Sequence, residues 1–427
     1  MPEGMIDRRI ASVVQARMAE VPVVALQGPR AVGKSTVLRQ LASRYDALIV
    51  DLDNVGVRAA VADEPGEFVA GPGPVFVDEY QRVPDVLDAI KSELNRDFRP
   101  GRFLITGSTR FDALPQAAQS LTGRIHFETI LPFSQGEMSG VNEDFLEVAL
   151  TDPGRLTTGL GSGLGRAGYA ERVCNGGMPV AIRLSGMART RWFDDYTNAS
   201  LRRDATGVSR IQRDAQLPGL LARLAGQTAQ VLNITAAGAS VGLDRTTANS
   251  YVTLLEDLFL IHRLPAWGRT LRARSTALPK VHLVDSGLAA RLLRLSPAKL
   301  AQLDPASLTE FGHLLETFAI GELLKQASWS EHVSGLGHWR THDGHEVDLV
   351  IERDDGRVVG FEIKASGQVH SRDAKGLVAL SEVLGSQFVA GLVLTTGNLA
   401  YRHDDRIYVV PIDRMWEPSP PPRKKRR

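Results

Sequence analysis

Apolar residues in the first third of the chain come in short unbroken runs, each ending on polar or glycine-rich positions. Val23 to Gln27 (VVALQ), Val75 to Asp78 within Pro74-Val-Phe-Val-Asp78-Glu79, and Arg102 to Ser108 (RFLITGS) are three such runs. A run of four to eight apolar residues bounded by turn formers predicts a strand covered on both faces, as in a parallel sheet. Between the runs the spacing turns helical, from the glycine-rich stretch after Gln27 to about Arg44 and again around Asp85 to Leu94. Further along, the pattern predicts a helix over 217–232, a short helix over 234–242, a third from Arg245 to Leu258, then apolar Phe-Leu-Ile and a strand at Lys280 to Asp285. A helical period over Glu310 to Gln326 is followed by two apolar strands, 346–351 and 358–364, joined by the turn signal Asp354-Asp355-Gly356.

These patterns predict an α/β protein in five parts. They are an N-terminal P-loop parallel-sheet domain (1–140), a linker and helical segment (141–215), a winged-helix-like domain (216–290), an α/β domain (300–415), and a proline-rich basic tail (416–427). Thr151 to Gly168, rich in Gly, Thr and Ser and without an apolar period, reads as a flexible surface linker. Trp192, Phe193 and Tyr196 beyond it are spaced for one buried helix face.

The stretch Gly28-Pro29-Arg30-Ala31-Val32-Gly33-Lys34-Ser35-Thr36 carries the first candidate chemistry. It is G-x-x-x-x-G-K-[ST] between a strand and a helix, where backbone N–H groups curl around a phosphate and the helix N-terminus adds partial positive charge. Lys34 is expected on the β- and γ-phosphates and Ser35 on Mg²⁺, with Asp78 in the same metal shell. Glu79, one residue on, is placed to polarise an attacking water. Ser108 is the candidate phosphate sensor; the alternative is that Thr106 and Ser108 cap the next helix. Arg30, Arg110 and Arg124 are candidates for an arginine on the transferred phosphoryl group, Arg124 first, acting in cis or from a neighbouring copy in a homo-oligomer. No Asn-Lys-x-Asp run reads guanine, so ATP is the expected nucleotide, with Mg²⁺.

In the winged-helix pattern, Arg245, Thr246 and Asn249 fall where a recognition helix meets DNA, and Arg269, Arg272 and Arg274 where a wing grips phosphates. Glu256 and Asp257 at the end of that helix favour the opposite reading, a packing module. In the last domain Glu362 and Lys364 alternate onto one strand face, and a register near the strand ends brings Asp348 beside them. Two carboxylates and a lysine, with Glu316 as a further ligand, make a candidate second Mg²⁺ site able to activate water against a phosphodiester. His338, His342 and His345 lack the spacing and cysteine partners of a zinc module. Cys174, the lone cysteine, reads as a small buried hydrophobe.

Composition narrows the partners. The 427 residues carry 50 Lys and Arg against 49 Asp and Glu, a net charge of +1, so any contact with nucleic acid must come from local patches. With no disulfide to form, no signal-peptide pattern and no apolar run long enough to span a bilayer, a cytoplasmic protein without membrane contact is expected. The candidate partners are ATP, DNA, a protein, or a second copy of the chain.

The Walker-type run, VFVDE, FLITGS, TGRIHFETILPFSQGE and the later GGMP resemble the prokaryotic AAA-type ATP-binding proteins that carry a C-terminal domain of unknown function 4143. The resemblance covers nearly the whole chain. It implies an ATPase domain in front and a function of unassigned biology behind. The order Glu316, Asp348, Glu362-x-Lys364 further resembles the PD-(D/E)XK nucleases, through a shorter and more degenerate pattern. Two functions follow as expectations: an ATPase acting on DNA, or an ATP-binding switch that signals to a protein partner through an inactive nuclease-like domain.

Overall fold

The structure is a computed structural model that describes residues 6–111, 121–158, 161–203, 214–270, 277–303 and 305–419. Its first unit is a five-stranded sheet built from β1 (Val23–Gln27), β2 (Leu48–Asp51), β3 (Val75–Asp78), β4 (Phe103–Gly107) and β5 (Ile125–Thr129). The order is β2-β3-β4-β1-β5 and every pairing is parallel. Helices cover both faces. Ile10–Met18 and Lys34–Tyr45 close one core around Leu26, Leu38 and Phe76, and Val86–Leu94 closes the other around Val77, Ile90 and Ile105. The three central strands are the apolar runs of the sequence. The edge strands β2 and β5 are only partly buried, with Leu48 55% exposed, and β5 interleaves polar residues with its apolar ones. Because all five strands run the same way, the residues that end them share one edge of the sheet, where ligands of open α/β sheets bind.

In the middle region the expected helix over 217–232 stops at Gly226. The chain then forms β6 (Gln230–Val231), drawn out of the helix by pairing with β8 (Lys280–Leu283), which also pairs with β7 (Ile261–Leu264) in an antiparallel β6-β8-β7 sheet. Helices Ile234–Ala239 and Arg245–Asp257 lie between β6 and β7, capped by Asn233 and Asp244. The segment leaving β7 continues onto the next domain: Ala266 bridges to His338, and the Trp267 indole donates to Glu352 at 2.9 Å.

The last sheet is mixed, in the order β13-β14-β12-β11-β10-β9, with β9 Val333–Arg340, β10 Glu346–Arg353, β11 Val358–Lys364, β12 Phe388–Thr395, β13 Tyr401–Asp404 and β14 Ile407–Pro411. The long helix Pro305–Ser328 packs against it. One continuous hydrophobic core runs from Phe145 through Tyr169, Leu224 and Phe318 to Trp416, so the middle and terminal regions share their apolar interior.

The glycine-rich stretch 151–168 is a correction. Where the sequence suggested a free linker, Pro153–Thr157 forms a 3-10 turn, and Ser162 is strapped to the terminal domain by its N–H on the Asn398 carbonyl (2.9 Å) and its hydroxyl on Asp413. Small residues here permit close approach: a Cβ at Gly161 would meet the Asn398 carbonyl oxygen at 2.5 Å. Among the described residues no helix is long and apolar enough to cross a membrane. Arg272, Arg274 and the basic end of the tail lie outside the described residues.

Candidate nucleotide site and a carboxylate cluster

The chain leaves β1 at Gly28 and turns through Pro29, Arg30, Ala31 and Val32 into the helix that Gly33 caps. Gly28, Ala31 and Gly33 have φ of +149°, +55° and +105°, a left-handed path that turns successive amides inward. Lys34 is buried, and its ammonium donates to the carbonyls of Gly28 (3.0 Å) and Pro29 (2.9 Å). Thr36 is exposed on the helix beyond.

Across from the loop, the end of β3 supplies Asp78 and Glu79. The Ser35 hydroxyl donates to Asp78 at 3.1 Å, and the Thr106 hydroxyl donates to the same carboxylate oxygen. The two hard oxygen donors expected to share Mg²⁺ are therefore already side by side, which fits the group. Glu79 takes a left-handed turn at φ +58°, its N–H bonded to Thr106 Oγ1 at 3.1 Å. Burial holds its carboxyl above the usual range, with Asp78 adding to the rise and Lys34 opposing it. Ser108 stands 3.4 Å from Glu79 Oε2, and Gln81 donates from one amide nitrogen to both Glu79 and Ser108. Lys34, Ser35, Asp78, Glu79 and Ser108 thus meet at one sheet edge.

Two further residues join the site without having signalled themselves in the sequence. Gln81, two positions past Glu79, ties the acid to Ser108. Arg8 is buried and donates to the carbonyls of Val32 (3.1 Å) and Leu131, sits over the Phe133 ring at 4.4 Å and pairs with Glu137 at 3.3 Å. It clamps the phosphate loop to the chain beyond β5.

The arginines separate clearly. Arg124 precedes β5 and bonds Asn95 at 2.7 Å, at the end of the sheet opposite the loop, which does not fit the expected contact in cis. Arg110 is engaged by the end of the Arg245–Asp257 helix and the turn after it. Its N–H donates to the Asp257 carbonyl at 3.0 Å, its guanidinium meets Glu256 at 3.4 Å, and it lies 5.6 Å from the Phe259 ring centre. Two residues beyond Ser108, it joins the loop after β4 to the end of the Arg245–Asp257 helix. Arg30 lies near Glu79, whose carboxyl its charge favours in the ionised form.

On that helix Arg245, Thr246 and Asn249 are exposed and line, with Asn233, Thr235 and Leu278, a cleft of about 800 Å³. Ala248, Val252 and Leu255 face the core. Arg269 is drawn toward the terminal domain, donating to the Val383 carbonyl at 3.3 Å, a correction to its placement on a free wing.

In the terminal domain Leu349 pairs with Phe361, the register that sets Asp348 beside Glu362. The Ile363 N–H donates to Asp348 Oδ2 at 2.9 Å, and Lys364 pairs with Glu362 at 2.6 Å. Glu316 arrives from the long helix. The four expected residues do converge, but the cation at their centre is Lys280 from β8, within 3 Å of Glu316, Glu346 and Asp348. Among the described residues no three acidic, histidine or cysteine side chains stand ready to hold a metal ion. His338 is buried and its Nε2 meets the Leu278 carbonyl at 3.0 Å, while His342 is exposed. Burial pushes the Cys174 thiol up to about 12, leaving it inert. Gly176 and Gly177 of GGMP let Asp285 and the Phe133 carbonyl approach, where any Cβ would collide at 2.3 Å; the Gly177 N–H donates to Asp285 at 2.7 Å.

Comparison with known proteins finds three family models along the chain. Residues 20–139 match the profile of an AAA domain, residues 166–299 that of a domain of unknown function (DUF8612), and residues 311–415 that of another (DUF4143). The chain thus has an AAA domain in front and a DUF4143 domain behind. An uncharacterized protein of Mycobacterium tuberculosis is 26% identical over 415 residues, spanning 96% of this chain and 85% of its own, and one of Mycobacterium bovis matches equally. Among solved structures, a Walker-type ATPase of Pyrococcus abyssi aligns with 68% of this chain and 97% of its own, at 13% identity and a TM-score of 0.41. The RuvB Holliday junction branch migration motor of Thermotoga maritima aligns with 61% of this chain and 90% of its own, at 18% identity and a TM-score of 0.28.

Proposed function

We propose that this chain is a Mg²⁺-dependent ATPase of the cytoplasm whose nucleotide state repositions the helical unit around Arg245–Asp257 on DNA. The observation that carries the reading is the connected set Lys34, Ser35, Asp78, Glu79 and Ser108 at the end of the parallel sheet. The Lys34 ammonium donates to two loop carbonyls, and a triphosphate tail would offer it stronger, charged acceptors in the same place. Mg²⁺, when bound, supplies neutralising charge between the β- and γ-phosphates. Ser35 and Asp78 would hold it, and Glu79, kept near Ser108 by Gln81, would orient and polarise the attacking water. Arg124 would complete the site of an adjacent copy in a homo-oligomer.

The output runs through Arg110. A γ-phosphate that draws on Ser108 shifts the loop that Arg110 fastens to Glu256 and Asp257, and with it the helix carrying Arg245, Thr246 and Asn249. These exposed side chains would meet DNA, while their buried neighbours fix the helix.

The test is Lys34→Ala in the full chain, assayed for Mg·ATP binding by calorimetry and for phosphate release. Hydrolysis is expected to disappear and affinity to fall by at least about a hundredfold, two charge-assisted contacts being worth roughly 3 kcal/mol or more. Unchanged turnover overturns the assignment. A second reading, an ATP-driven switch with a protein partner, is favoured by Lys280 sitting among the nuclease-like carboxylates. Fluorescence polarisation with duplex DNA at two salt concentrations separates the two: affinity that falls steeply with salt supports the first, and no binding at low salt supports the second.

A further inference from the structure

Lys280 opens β8 of the middle sheet, yet its side chain is only 2% exposed and ends inside the neighbouring domain. Its Nζ lies 2.7 Å from Glu346 Oε1, 2.8 Å from Glu316 Oε1 and 2.9 Å from Asp348 Oδ1. Three carboxylate oxygens from two separate elements thus converge on one point, and the ammonium has three donors to give, one for each. The other Asp348 oxygen is taken by the Ile363 N–H. Beyond it, Glu362 Oε1 takes Lys364, and Glu362 Oε2 is buried with no partner. Four carboxylates therefore gather around two ammonium groups.

A hard oxygen set of this kind suits a divalent cation, and a buried ammonium satisfies it by the same electrostatics. The charges reinforce one another: against the burial that would lower it, Asp348, Glu316 and Glu346 hold the Lys280 ammonium above its ordinary range. Lys280 also belongs to a different sheet from the carboxylates. Its ion pairs therefore fasten the β6-β8-β7 sheet to the terminal domain, next to the suture made by Ala266 and His338.

We infer that the Lys280 ammonium occupies the place of a divalent metal ion at the nuclease-like carboxylates, so that this domain is latched to the middle sheet by an internal cation and performs no metal-dependent phosphodiester cleavage while the latch is seated. Withdrawing the ammonium uncovers a divalent-cation site made of Glu316, Glu346 and Asp348. This holds whether or not the N-terminal domain hydrolyses ATP.

The experiment titrates nucleotide-free full-length protein with Mn²⁺ by calorimetry, in wild type, Asp348→Asn, Lys280→Ala and the Lys280→Ala/Asp348→Asn pair. Wild type and Asp348→Asn are expected to give the same heats, because no Asp348-dependent site is open. Lys280→Ala is expected to gain one saturable Mn²⁺ site that the paired variant lacks, with its melting temperature raised by Mn²⁺. Where Lys280→Ala is too unstable to purify, Lys280→Met, which fills much of the same volume and leaves all three carboxylates in place, is expected to gain the same site. Asp348-dependent Mn²⁺ binding by wild type, Asp348-dependent nicking of plasmid DNA by wild type, or a folded Lys280 variant that gains no Mn²⁺ site would each overturn the inference.

Discussion

Gly28 and Gly33 bracket the phosphate loop, and alanine at each tests a different part of the argument. Both glycines have positive φ, +149° and +105°, which costs an L-residue about 1–2 kcal/mol. At Gly33 nothing lies within 4 Å of the added methyl, so that dihedral cost is the whole penalty. At Gly28 the methyl falls 2.3 Å from the Ile130 carbonyl oxygen and 3.2 Å from its carbon, and Ile130 is itself fixed by its N–H on the Gln27 carbonyl at 2.8 Å. Backbone meets backbone, neither side can rotate away, and such overpacking adds roughly 1–3 kcal/mol or more. Gly28→Ala should therefore cost about 2–5 kcal/mol, lowering the melting of the N-terminal domain by on the order of 10 °C, whereas Gly33→Ala costs a few degrees. Since the collision displaces the loop itself, Mg·ATP affinity should fall by more than about tenfold in the first variant. Scanning calorimetry with and without Mg·ATP measures both effects. If the two variants melt and bind alike, the close approach of the loop to the chain after β5 does not shape the site.

Two further outcomes follow from the contacts between domains. Burial pushes the Glu143 carboxyl from about 4.5 up to about 7. The folded chain then keeps a proton that the unfolded chain has released, so stability contributed by this group is full below about pH 4.5, declines as pH rises toward 7 and is flat above. Glu143→Gln, which keeps the acceptor for the Gly136 N–H, should lessen that slope in denaturant melts taken from pH 4.5 to 8; an identical slope would show that Glu143 is not its source. Arg110→Ala removes a partly exposed ion pair and a ring contact, so stability should change by about 1 kcal/mol or less. The influence of ATP on DNA affinity should nevertheless vanish, read by fluorescence polarisation with and without a non-hydrolysable analogue. The same ATP-dependent shift in wild type and variant would remove Arg110 from the coupling route.

What the sequence determined by itself was local: β1, β3 and β4, read as unbroken apolar runs, the glycines that allow positive φ between β1 and Lys34, and the Asp348 and Glu362-x-Lys364 alternation that a hairpin register brings together. Each depends on residues near one another in the chain, where propensity and strand periodicity suffice. The rest was decided by packing between distant segments. The edge strand β5 interleaves His126 and Glu128 with its apolar residues, and the end of the expected 217–232 helix became β6 only because β8 lay beside it. Arg8 finds Leu131 across 123 positions, Arg110 finds Glu256 across 146, and Lys280 enters a cluster whose Asp348 is 68 residues away. A charge in a sequence signals solvent by default; only the tertiary structure shows that this lysine is buried, because the carboxylates that offset its desolvation belong to another domain.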